Sequence, residues 1–61
     1  MIPNEKELIE FIKKGDMVNY SIIAKRYKIN NATVSDLIDL LVHKKLVVVK
    51  QAGGNKFVEV R

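Results

Sequence analysis

Few side chains in this 61-residue chain can do chemistry, and their types narrow what that chemistry is. His43 is the single histidine and there is no cysteine, which excludes a thiolate nucleophile, a disulfide and a thiolate zinc site. The seven carboxylates fall on caps and polar faces without a metal-ligand spacing, and His43 stands where a helix dipole favours it. Neither catalysis nor a cofactor or metal is expected. What remains is a group of cations, Lys25, Arg26, Lys28, Lys50 and Lys56, accompanied by polar side chains at Tyr20, Ser21, Asn31, Thr33, Ser35 and Asn55. Such groups hold phosphate oxygens or, at the right height in a groove, the edges of bases. Asp36 joins them as a possible acceptor from a cytosine amino group, and Gly53-Gly54 as a place where backbone can approach closely.

The totals agree with a surface that attracts polyanions. Eleven Lys and Arg against seven Asp and Glu leave a formal charge of +4 on a small body, although the same charge also serves solubility alone. An apolar fraction of 48% with 30% charged residues is that of a folded chain, and residues 1–61 have room for one domain. A chain of this size buries only about 60% of its unfolded surface, so packing or a second copy must supply stability, and a homodimer is a candidate state. No apolar run approaches the ~20 residues of a membrane span and the N-terminus lacks the pattern of a signal peptide, which points to the cytoplasm.

The elements that must position these residues are legible in turn. Asn4 as N-cap with Glu7 in the capping-box position opens a helix over residues 5 to 14, with Leu8, Ile9, Phe11 and Ile12 forming one wide apolar stripe. Lys13 and Lys14 suit its negative end, and Gly15 offers a left-handed stop. After Gly15-Asp16, Met17-Val18 is long enough only for a bridge of extended chain. Asn19 caps a second helix carrying Ile23, Ala24 and Tyr27, Ile29 sits in a turn, and Asn30 caps a third helix whose Val34, Leu37, Ile38 and Leu41 follow the 3.6-residue period. That burial leaves Asn31, Thr33, Ser35 and Asp36 toward solvent. From Leu46 the texture turns β-branched, and Val47–Val49 and Phe57–Val60 read as two strands joined at Gly53-Gly54, with Val49 facing Val58 and Val47 facing Val60. Val48, Lys50, Phe57 and Glu59 then share the opposite face.

Helix, short extended piece, helix, turn, helix and a two-stranded hairpin is the order of the winged helix-turn-helix, an α+β fold. The run Ile23-Ala24-Lys25-Arg26-Tyr27-Lys28-Ile29-Asn30-Asn31-Ala32-Thr33-Val34-Ser35 resembles the helix-turn-helix of prokaryotic winged-helix regulators. There an Ala of the second helix lies against the third, an Ile closes the turn, a small polar residue caps the third helix and Thr-Val-Ser opens it. Leu46 followed by a β-branched residue resembles the usual start of the wing. The resemblance spans roughly residues 18 to 61 and implies binding of double-stranded DNA as a small transcriptional regulator. It places the third helix in the major groove, and Lys25, Arg26, Lys28, Lys50 and Lys56 at phosphate positions.

One departure matters. Where that family commonly carries Arg or Lys on the exposed face of the third helix, this chain has Asp36 and Asp39, and two carboxylates there repel phosphate. The Arg-x-Lys-Ile run at Arg26 to Ile29 and the Lys-x-Leu run at Lys44 to Leu46 also resemble the winged-helix protein of the archaeal and eukaryotic small ribosomal subunit, which makes ribosomal RNA an alternative ligand. The two aspartates favour a third alternative, a protein partner, and Ile22, at a normally polar position of the motif, suits an apolar contact with such a partner or with a second copy.

Overall fold

The computed structural model describes residues 2–15 and 17–61, so Asp16, within the connection after the first helix, lies outside the described residues. Three asparagines set the starts of three helices. Glu7 N–H donates to Asn4 Oδ1 at 2.7 Å ahead of α1 (Glu5–Lys14). Ile22 N–H donates to Asn19 Oδ1 at 2.8 Å ahead of α2 (Tyr20–Tyr27), and Thr33 N–H to Asn30 Oδ1 at 2.8 Å ahead of α3 (Asn31–His43). Each cap satisfies one of the N–H groups that a helix start leaves without an internal partner.

Three strands, β1 (Val18–Asn19), β2 (Val47–Ala52) and β3 (Asn55–Val60), form one antiparallel sheet in the order β1-β3-β2. The hairpin register is the expected one, with Val49 opposite Val58, Val47 opposite Val60, and Ala52 opposite Asn55 across Gly53-Gly54. The turn glycines have φ of +57° and +83°, and an added Cβ at either would meet nothing within 4 Å. Backbone conformation alone therefore explains both glycines.

The strand count corrects the two-stranded expectation. Val18 pairs with Val58 and Asn19 with Phe57, so the piece before α2 is a third strand, while Met17, at φ +52°, is not extended. Gly15 is a second correction. It caps α1 in extended conformation, φ −82° and ψ 157°, not left-handed. Its reason is space, because a Cβ there would run into Val18 Cγ2 and crowd the Phe11 carbonyl at 3.3 Å. The left-handed stop occurs instead at Lys28, φ +55°, which ends α2 with its N–H on the Ala24 carbonyl.

The core takes at least one side chain from every element. Leu8 and Ile12 of α1, Val18, Ile23 and Tyr27 of α2, Val34, Ile38 and Leu41 of α3, Val47 and Val58 are all buried, and Leu37 is half-buried against them. Ile9 and Phe11 pack on this cluster as well, so the wide stripe of α1 is used inside the molecule. Phe11 meets the Tyr27 ring edge-on at 5.7 Å, a favoured aromatic geometry. Lys44 Nζ reaches both carboxylate oxygens of Glu5, at 2.7 and 2.9 Å, tying the end of α3 to the start of α1.

Candidate nucleic-acid interface

The pairing of Asn19 with Phe57 decides what stands beside the start of α2. Because α2 begins at the next residue, the hairpin residues that precede Phe57 are carried over its first turn. Asn19, Tyr20, Ser21, Gly54, Asn55 and Lys56 line the resulting cleft of about 200 Å³. The cap uses the Ile22 N–H, and the Ser21 N–H is among those that a helix start leaves without an internal partner. The Ser21 hydroxyl, the Lys56 ammonium and the positive end of the helix dipole complete a lining suited to an anionic oxygen. No carboxylate lines it. One is near: burial first, and then the negative charge of Asp39, raise the pKa of the Tyr20 hydroxyl above its ordinary value.

From Ser21 a polar row continues along α2 to Lys25, four residues on and on the same face, and Lys28 follows as the left-handed residue that ends the helix. All three are exposed. Arg26 belongs to a different row, four residues after Ile22, and its guanidinium lies over the Tyr27 ring at 5.5 Å from the centroid. The structure thus divides the basic cluster: Lys25 continues the row that starts at Ser21, whereas Arg26 is held on an aromatic ring that α1 packs against. Lys50 is not a free cation either. Its Nζ lies 2.9 Å from Glu59 Oε2, diagonally across the hairpin.

The exposed face of α3 differs from expectation in detail. Asn31 and Asp36 face solvent, but Thr33 and Ser35 are half-buried, because at 100° per residue they fall on the flanks of the core stripe rather than opposite it. The outermost stripe is Ala32, Asp36, Asp39, Leu40 and His43, and α3 contains no Lys or Arg. Gly53 stands at the tip of the hairpin, beside the cleft rather than in its lining. Asn19, read from the sequence only as a cap, is the lining residue that sequence reasoning missed; its short strand, visible only after folding, is what places it there.

Among the described residues no group of three or more His, Cys, Asp or Glu gathers as a metal site, and no helix is long and apolar enough to cross a membrane. Comparison with known proteins finds no matching family model, no matching curated protein and no matching solved structure.

Proposed function

We propose that the chain is a winged helix-turn-helix domain that binds double-stranded DNA, acting in the cytoplasm as a small transcriptional regulator, with a second copy as its natural partner. The observation that carries this reading is the cleft: Tyr20, Ser21, Gly54, Asn55 and Lys56, distant in sequence, meet in one anion-suited recess with Lys25 and Lys28 leading away from it. The order α1-β1-α2-α3-β2-β3 supports the winged-helix assignment, with β2 and β3 as the wing.

In this arrangement the cleft holds one phosphate, Lys25 and Lys28 follow the backbone, and the first turn of α3 approaches the major groove with Asn31. Asp36 lies on the face turned to the bases and accepts from a cytosine amino group. Asp39 opposes binding, since it lies close enough to Tyr20 to act on its hydroxyl. The acidic, Leu40-bearing face of α3 favours a second reading, a basic protein partner.

Titration of labelled duplex DNA, a structured RNA and an uncharged polymer across a salt series tests the proposal. Duplex binding whose affinity falls log-linearly with salt, tightened on every sequence by Asp39→Asn, is the expected result. Tighter binding of the RNA than of any duplex would assign the cleft to RNA. No binding of either at low salt would overturn the nucleic-acid reading in favour of the protein partner.

A further inference from the structure

The exposed side of α3 is short of donors. The helix contains no Lys or Arg, and Thr33 and Ser35 are half-buried, so the side chains that stand clear in its first two turns are Asn31, Ala32 and Asp36. Ala32, Asp36 and Leu40 form one row at four-residue spacing, about 6 Å apart along the axis, and Leu40 is 46% exposed. An acceptor thus stands between two apolar groups. No hydrogen bond or ion pair among the described residues uses the Asp36 carboxylate, whereas Glu5 and Glu59 each hold a lysine and Asp39 acts on Tyr20.

A carboxylate only accepts, and this selects among base edges. In the major groove guanine shows two acceptors and thymine an acceptor and a methyl, so the amino groups of cytosine and adenine are the donors open to it. The adenine amino group lies between two acceptors, its own ring nitrogen and the thymine carbonyl, and both repel a carboxylate. The cytosine amino group has the guanine carbonyl on one side and its own apolar ring edge at carbon 5 on the other. A donor with an apolar neighbour is the complement of Asp36 beside Ala32 or Leu40.

We propose that Asp36 makes α3 a sensor of cytosine modification in duplex DNA, accepting from an unmodified amino group, blocked by N4-methylcytosine and admitting 5-methylcytosine. The inference rests on the reading of the chain as a duplex binder with α3 in the major groove. In a Watson–Crick pair the cytosine amino group keeps one hydrogen for guanine, so a methyl on that nitrogen replaces the hydrogen that faces the groove. The donor is lost, and the carboxylate is desolvated against an apolar group without a partner. A methyl on carbon 5 leaves both amino hydrogens in place and adds apolar surface beside the row, where Ala32 or Leu40 covers it. An adenine reader would be indifferent to either methyl.

The test enriches a random duplex pool on the protein at low salt, then resynthesises the enriched duplex with cytosine, N4-methylcytosine or 5-methylcytosine at every cytosine position. Fluorescence anisotropy across a salt series reads all three. The N4-methyl duplex should bind about tenfold or more weakly and the 5-methyl duplex at least as tightly as the unmodified one. The three salt slopes should be parallel, because the phosphate contacts are unchanged. Asp36→Ala should bind the N4-methyl and unmodified duplexes equally. Three results would overturn the inference and leave the duplex reading standing: salt-dependent binding with equal affinity for the N4-methyl and unmodified duplexes, an enriched set without a shared cytosine, or a discrimination that survives Asp36→Ala. No binding to any duplex at low salt would overturn both.

Discussion

Glu59→Gln isolates the one hairpin cation that the protein itself neutralises. Lys50 Nζ lies 2.9 Å from Glu59 Oε2, but the side chains are 65% and 53% exposed, so water and salt screen the pair. Exposed pairs of this kind contribute below about 1 kcal/mol, and the melting temperature should fall by no more than a few degrees. Binding should respond more clearly. The substitution releases Lys50, and each phosphate neutralised adds about 0.9 to the slope of log affinity against log salt. Across a fourfold change in salt, from about 50 to about 200 mM, an extra 0.9 multiplies the loss of affinity by roughly 3.5. Fluorescence anisotropy with a labelled duplex, run on both proteins over that range, reads this directly. The variant should bind more tightly at low salt and more steeply with salt. Parallel lines with equal slopes would refute the placement of Lys50 at a phosphate.

Three further outcomes follow from the geometry. Asn30→Ala strips α3 of its cap on the Thr33 N–H and should cost about 1 kcal/mol, a loss of about 4–8 °C in melting temperature; an unchanged melt would mean that the cap is dispensable. Gly53→Ala meets no neighbour yet must hold φ +57°, so calorimetry should show a loss of about 1 kcal/mol from backbone conformation alone, and no loss would show that the turn relaxes freely. The hydroxyls of Tyr20 and Tyr27 are both raised, chiefly by burial, with Asp39 and Glu7 adding to the shift and Arg26 opposing it at Tyr27. The neutral form is therefore favoured in the folded state: this stability is complete below about pH 10 and is lost as pH rises through the folded pKa values, so tyrosinate absorbance and melting should move together on the alkaline side; a melting temperature constant from about pH 9 to about pH 12 would contradict it.

Much of the fold was legible because local signals carry it. Three asparagines mark the helix starts through bonds to residues three positions on, and the alternation of Val47, Val49, Val58 and Val60 around Gly53-Gly54 permits one register. A short extended piece before α2 was legible, but its place in the sheet was not, because two residues hold no period and the pairing of β1 with β3 is a contact across most of the chain. Gly15 was misread for a related reason: its constraint is the approach of Val18, which only the folded sheet creates. The basic residues were legible as a set but not in their division, since Arg26 stacking on its sequence neighbour and Lys50 pairing diagonally with Glu59 depend on rotamers and register together. Tyr20, Ser21, Gly54, Asn55 and Lys56 were legible singly, and their meeting in one cleft was not.

Amide chemical-shift mapping during titration with a duplex at low salt tests the central claim most directly. The account predicts that the largest changes fall on Tyr20, Ser21, Gly54, Asn55 and Lys56, spread to Lys25, Lys28 and Asn31, and diminish at the cleft in Lys56→Gln. Changes confined to the outer stripe of α3 with the cleft silent, or none at all, would contradict it.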